Sequence, residues 1–196
     1  MEIDQRVKQP AVSIRLTNSA EEREEVFRLR YEIYIEEMGW KSACADHARR
    51  MLEQPLDASG AIWIAVSDGK IVGSLRVNYG TPADLDFYAD AYDLHSFLDP
   101  ASSAAIVTNF VIHRAYRNLS VAMQLVRATC AFLLGVNVGL ALLDCEPGLT
   151  RFYKWLGFEV HKQDFVHPHY GPGICMRMDV MRLRHRYVAE EASVAA

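Results

Sequence analysis

The sequence predicts an α/β fold in which helices flank a sheet, and two observations carry that prediction. Residues 106–112 are apolar, rich in β-branched side chains and too few for a helix, so they read as a buried strand. A tight turn follows, then a helix-length segment at 120–134 whose strongly polar interior positions are Gln124 and Arg127, then a second apolar run at 138–143. Strand, long helix and strand make a β-α-β unit, and such crossovers are right-handed in nearly all proteins. The second observation is a hairpin signal: residues 62–66 and 71–77 are strand-like and are joined by Ser67, Asp68, Gly69 and Lys70.

Each element follows in order. Residues 1–9 read as a loose leader, and 12–16 alternate as a first strand. Asn18 or Ser19 caps a helix whose first turn holds Glu21 and Glu22, the charge that a helix N-terminus favours. Val26, Leu29 and Ile33 recur three and four apart and form its apolar face; Arg30, Tyr34 and Met38 form a stripe beside it. Gly39 ends this helix before Trp40. After the hairpin, residues 81–100 exceed an ordinary connection and are acidic and aromatic at once, with Asp84, Asp86, Phe87, Tyr88, Asp90, Tyr92, Asp93 and Phe97. They read either as a short helix or lid beside a site, or as a solvated loop with aromatic anchors. The long helix has Ser120 as its candidate N-cap and Gly135 as its left-handed terminator. A short helix is expected within 151–158. The Pro- and Gly-rich stretch 165–173 is a turn carrying His167 and His169, either of which is a weak candidate base; no third ligand has the spacing for a metal. Residues 174–180 alternate as the last strand, 182–186 are a basic run, and 189–196 are a frayed tail.

The composition narrows the function classes. At 196 residues the chain suffices for one domain with a sizeable core, spanning 1–196 with flexible ends. A formal net charge of −4 supplies no basic field for nucleic acid. Cys44, Cys130, Cys145 and Cys175 are far apart and read as reduced core thiols, as in a cytoplasmic protein. The charged start is unlike a signal peptide, and no apolar run reaches membrane-spanning length.

The turn into the long helix is the chemical signal. Arg117, Asn118, Leu119, Ser120, Val121 and Ala122 put a permanent cation and two small residues at a helix N-terminus, where unpaired amides and the dipole suit a phosphate or pyrophosphate. Arg117-x-x-Ser120-x-Ala122, followed one β-α-β unit later by Phe152-Tyr153-x-x-Leu156-Gly157-Phe158, resembles the two hallmark motifs of the GCN5-related N-acetyltransferase superfamily. Ser120 stands where that family's loop has glycine. The resemblance implies a mixed, mostly antiparallel twisted sheet flanked by helices, and a thioester donor held by Phe110, Val111, Ile112 and the 117–122 loop.

The segment Arg28-Leu29-Arg30-Tyr31-Glu32-Ile33-Tyr34-Ile35-Glu36-Glu37-Met38-Gly39-Trp40 is similar to the N-terminal segment of acyl-homoserine-lactone synthases and N-acyl amino acid synthases. That likeness implies that Arg30, Tyr34, Trp40, Asp57 and Arg76 serve the acyl and acceptor region. The lactone synthases carry glutamate and arginine where this chain has Thr108 and Asn109, which argues for a different N-acyl product. In the implied mechanism the substrates meet in a gap between the strands of Asn109 and Ala141. A backbone amide near Phe110 or Val111 would hold the oxyanion, and Tyr153 would protonate the leaving thiolate. Asp57, Asn109 through a water, and Asp144 are the candidate bases. No permanent cofactor is expected. The co-substrate is acyl-coenzyme A or an acyl group on the phosphopantetheine of acyl carrier protein. An acidic carrier would need a basic patch, which Arg114, Arg117, Arg127, Arg151 and Lys154 could supply. The expected activity is N-acylation of a small-molecule amine, an amino acid above all, by a medium or long chain. The alternatives are an acetyl-coenzyme A-dependent acetyltransferase of small amines and a non-catalytic sensor of acyl thioesters.

Overall fold

A computed structural model describes residues 11–85, 87–167, 171–182 and 184. The expected leader, Asp86, His169, most of the basic run and the expected tail lie outside the described residues. The strands are β1 (Ser13–Leu16), β2 (Ala45–Asp46), β3 (Met51–Leu52), β4 (Ala61–Ser67), β5 (Lys70–Gly80), β6 (Ala104–Ile112), β7 (Leu140–Cys145), β8 (Glu159–His167) and β9 (Gly171–Asp179). The helices are α1 (Ala20–Arg30), α2 (Phe87–Ala91), α3 (Leu94–Phe97), α4 (Leu119–Gly135) and α5 (Thr150–Trp155). Seven strands form one mixed sheet in the order β1-β4-β5-β6-β7-β9-β8, while β2 and β3 pair separately. The β6–β7 pair is parallel and every other neighbour is antiparallel.

Period-two alternation distributes the core over both faces of the sheet. Ile62 and Ile64 of β4 face Val26 and Phe27 of α1, whereas Trp63 between them meets Phe132 of α4 edge-on. In β6, Ala104 and Ile106 pack with Leu142 under Leu85, Ala89, Tyr92 and Leu94. Ala105 and Val107 face the α4–α5 side with Val126 and Leu133. The acidic, aromatic stretch after β5 forms short helices, as one of its two readings expected, and is not a solvated loop: Leu85, Ala89, Tyr92 and Leu94, in these helices and the turns beside them, are buried against the sheet.

Several local expectations change. Asn118, rather than Ser120, caps α4, its side chain accepting from the Val121 amide at 3.0 Å. Asn and Ser are near-equal caps, so local chemistry alone does not choose between them. Gly135 stays inside α4, and Asn137 takes the left-handed conformation at φ 58°. The α4 helix buries Val121, Ala122, Leu125, Val126, Thr129, Cys130 and Leu133 along one stripe, leaving Arg127 exposed. The first helix does not run on as α: residues Tyr31–Glu37 open into π-helical turns, with Met38 N–H donating to the Ile33 carbonyl five residues back. Gly39 then takes φ 71° and releases the chain. Strand β8 has no apolar alternation to announce it; it is the sheet's outer edge, and Phe165 is its one buried residue. Cys44 is exposed, while Cys130, Cys145 and Cys175 are buried free thiols.

Candidate active site

The site begins with a defect in β6. Its register against β5 runs Ser74↔Val111 and then Arg76↔Thr108, so Asn109 and Phe110 have no partner on β5. This is a β-bulge, a device that breaks a ladder and increases local twist. Asn109 takes φ 51° within it, a conformation that asparagine tolerates better than most side-chain-bearing residues. The other edge of β6 separates too. It pairs with β7 only at Ala105↔Ala141 and Ile106↔Leu142, after which β7 pairs on with β9 alone. The two central strands therefore splay.

A cavity of about 450 Å³ occupies the splay. Val107 through Ile112 line it from β6, and Leu143, Asp144 and Cys145 from β7. Tyr153 reaches it from α5, Tyr88 from α2, and Ile33, Tyr34, Glu37, Met38 and Trp40 from the π-helical segment and the turn beyond. The extra residue per turn in a π segment re-aims the side chains after it. Here Tyr34 and Trp40 stack, with centroids 4.3 Å apart at 10°. His167 of β8 closes on Trp40, ring centroids 5.9 Å apart. The apolar wall continues with Phe110, whose ring lies 6.5 Å from that of Tyr153.

Burial pushes the Tyr153 and Tyr34 phenols up, and Tyr88 up to about 12. All three are proton donors at neutral pH. Burial also raises the Cys145 thiol to about 11, so it enters neutral-pH chemistry as a thiol.

Of the residues singled out by sequence, Asn109, Phe110, Val111, Ile112, Arg117, Tyr34, Trp40 and Tyr153 share this cavity, as do the candidate bases Asp144 and His167. Arg30, Asp57 and Arg76 do not line it. They form a sealed cluster behind its wall, at 0%, 0% and 1% exposure. Asp57 accepts from Arg30 Nη1 at 2.8 and 2.9 Å, from Arg76 Nη1 at 3.2 Å and from the Gln54 amide at 2.7 Å. Burial opposes its charge, yet the two guanidinium groups hold its carboxyl below the usual carboxylate range. The cluster touches the cavity through Arg76, whose Nε donates to Thr108 Oγ1 at 3.0 Å. Among the described residues, Nε and Nη2 of Arg30 meet no hydrogen-bond acceptor. Its guanidinium carbon lies instead 5.5 Å from the centroid of the Phe27 ring.

The 117–122 loop divides. Arg117 lines the mouth, where its guanidinium pairs bidentately with Glu37 at 2.5 and 2.8 Å and its Nε donates to the Ile112 carbonyl at 2.9 Å. Arg117 first, with Arg114 and His113 adding to it, holds the Glu37 carboxyl down. Leu119 and Ser120 are exposed, Val121 and Ala122 are packed into the core, and the Val121 amide is taken by the Asn118 cap. Asn109 Nδ2 donates to Gln54 Oε1 at 3.0 Å.

Glu37, Gln54 and Tyr88 are lining residues that the sequence did not single out as a site. Tyr88 lay within a conspicuous aromatic stretch. Nothing local marks Glu37, whose partner is 80 positions away. Among the described residues no group of three or more His, Cys, Asp or Glu could hold a metal ion, and no helix is long and apolar enough to cross a membrane.

Comparison with known proteins agrees with this architecture. A sequence model of the family described as N-acyl amino acid synthase FeeM matches residues 25–179. The structure of FeeM, an N-acyl amino acid synthase from uncultured soil microbes, superposes with a TM-score of 0.70 at 20% identity, covering 90% of this chain and 94% of that one. BjaI, a coenzyme A-dependent acyl-homoserine lactone synthase determined with SAM and isopentyl-CoA, gives 0.69 at 15% identity, covering 91% and 90%. An acetyltransferase of the GNAT family from Staphylococcus aureus gives 0.60 at 17% identity, covering 87% and 99%. At such identities the structural likeness establishes the fold. No curated protein matches the sequence.

Proposed function

The chain belongs to the N-acyl amino acid synthase FeeM family and is an N-acyltransferase, and from that premise we propose that it transfers a medium or long acyl group from a phosphopantetheine thioester to the amine of an amino acid. The thioester is carried by coenzyme A or by acyl carrier protein. The observation that supports this reading best is the splay itself. The bulged backbone at Asn109–Phe110 and the Tyr153 phenol line one cavity with the aromatic pair Tyr34 and Trp40.

In this reading the donor's pantetheine arm lies in the splay with its thioester carbonyl toward the bulge. A backbone amide of Phe110 or Val111 steadies the oxyanion, a contribution of about 2.7–4 kcal/mol per donor. Tyr153, protonated at neutral pH, gives its proton to the thiolate as the C–S bond breaks. Arg117 takes a phosphate of the donor once Glu37 yields it. Tyr34, Trp40, Phe110 and Val111 form the apolar wall for acyl and acceptor groups.

The buried floor supports an amino acid as acceptor. Two arginines against one aspartate leave an excess positive charge behind Thr108 and Tyr88, and a weakly screened charge of that sign favours a substrate carboxylate. The direct test is expression in a bacterial host followed by mass spectrometry of the lipid extract. A new N-acyl amino acid names both substrates. Its absence, together with no thiol release from decanoyl-coenzyme A or decanoyl-acyl carrier protein by the purified protein across the amino acids, overturns the reading.

A further inference from the structure

Acyl transfer to an amino acid begins from an ammonium group, so a proton must leave the nitrogen before it attacks. The sequence offered Asp57, Asn109 through a water, and Asp144 as its acceptor, with His167 and His169 as weaker candidates; His169 lies outside the described residues, and His167 lines the cavity against Trp40, so the test below includes it. The structure separates them. Both Asp57 oxygens are engaged by Arg30, Arg76 and the Gln54 amide inside a sealed cluster. Asn109 has no titratable group, and its amide donates to Gln54. Asp144 alone of the three carries a carboxylate on the cavity wall, on the β7 side of the splay, in the same cavity as Tyr153.

A second feature fixes it there. The Tyr92 hydroxyl donates a hydrogen bond to Asp144 Oδ1. Tyr92 is 0% exposed and sits between α2 and α3, wedged beside Tyr88 and Phe165 with ring centroids 5.3 and 5.6 Å away. The acidic, aromatic stretch between β5 and β6 thereby holds a carboxylate at the splay through its buried Tyr92 ring.

Resting on the acyltransferase reading, we infer that Asp144 is the general base that deprotonates the acceptor ammonium, and that Tyr92 is its positioning residue. Asp144 takes one proton from the ammonium. The freed amine attacks the thioester carbonyl, forming the C–N bond, and the C–S bond then breaks. Tyr153 protonates the departing thiolate and is reprotonated by the second nitrogen proton, while Asp144 returns its own proton to solvent. The products are amide, free thiol and one proton.

Among the described residues, the groups that face Asp144 include Tyr34 from the π-helical segment, Tyr88 and Tyr92 from the stretch between β5 and β6, Tyr153 from α5, Cys175 from β9, and Cys145 with Glu146 along its own chain. The phenols and thiols among them are held protonated by burial, so at neutral pH they can donate to the carboxylate but not compete with it. Glu146, two residues on, lines the same cavity, and its carbonyl accepts from the amide of the exposed Leu149 at 2.9 Å.

The test is the pH profile of kcat/KM for the acceptor, with decanoyl-coenzyme A or decanoyl-acyl carrier protein, in wild type, Asp144→Asn, Tyr92→Phe, Glu146→Gln and His167→Gln. Asp144→Asn is expected to lose about 100-fold or more of kcat together with the acid limb, while retaining donor affinity by calorimetry. Tyr92→Phe is expected to keep transfer and move the acid limb to higher pH by about half to one unit. Its removal takes away a hydrogen bond that favours the charged carboxylate. A merely structural tyrosine would lower stability and leave the limb in place. If Asp144→Asn does not fold, the Tyr92→Phe limb decides alone. Wild-type rates in Asp144→Asn, an unmoved limb in Tyr92→Phe, or loss of the limb in Glu146→Gln or His167→Gln overturns the assignment. A wild type that transfers nothing overturns the acyltransferase reading, and this inference falls with it.

Discussion

The cavity is bordered by two ion clusters of the same chemistry and opposite character. Behind its wall, Arg30, Asp57 and Arg76 are sealed from water; at its mouth, Arg117 and Glu37 keep 44% and 40% of their side-chain surface exposed. In the sealed cluster, charges have lost their hydration and depend on one another, so removing one leaves the rest uncompensated. At the mouth, water solvates each partner when the other leaves, so the pair can open at little cost. The first cluster can hold a shape and a field. The second, in the proposed reaction, is the pair that would exchange its carboxylate for a donor phosphate.

The largest effect should come from breaking the sealed cluster. Asp57→Asn strands two buried guanidinium groups and is expected to cost about 3–5 kcal/mol in urea unfolding. A cost under about 1 kcal/mol would mean that the wall is wetter than its geometry, and the contrast with the mouth would collapse. Acid should act on the same residue. A carboxyl whose folded value is depressed contributes its stability fully above the unfolded value near ~4 and loses it as pH falls through the folded value. The urea midpoint should therefore fall as pH drops from about 5 toward about 2, and Asp57→Asn should flatten that fall.

A third, smaller effect concerns the bulge between the two clusters. Asn109→Val places a β-branched residue at φ 51° and should lose about 1–2 kcal/mol, whereas Asn109→Gly should fold without that strain. Equal losses in thermal melts would show that the Gln54 contact, not the backbone, sets the requirement. The smallest energetic change belongs to the mouth. Glu37→Gln should leave the melting temperature nearly unmoved and lower KM for decanoyl-coenzyme A by about two- to fivefold at low salt. The gain should fade as ionic strength rises. A raised KM would make Glu37 a donor contact rather than a competitor for Arg117.

Legibility in the sequence followed the range of the forces involved. The β-α-β unit, the hairpin and the first helix were readable because periodicity and turn chemistry act within a few residues. The Tyr153 motif was readable for the same reason: Phe152 through Phe158 pack within one helical turn and its exit. Where two local choices were nearly equal in energy, the chain did not declare itself. Ser120 and Asn118 both cap helices well, Gly135 and Asn137 both accept the left-handed turn, and only the packing of α4 selected between them. Strand β8 went unread because an exposed edge strand needs no apolar alternation, its pairing with β9 being mostly backbone.

By itself, then, the sequence determined the β-α-β unit, the hairpin, the start of the first helix and the family to which the Phe152–Phe158 motif points, since each rests on residues close in the chain. The tertiary structure alone decided which charges became wall and which became mouth. Arg30 meets Asp57 across 27 positions, Tyr92 meets Asp144 across 52, and Glu37 meets Arg117 across 80. A charge's role depends on how much water remains around it and which counter-charge reaches it, and both are properties of the packed sheet and its splay, not of any window of sequence.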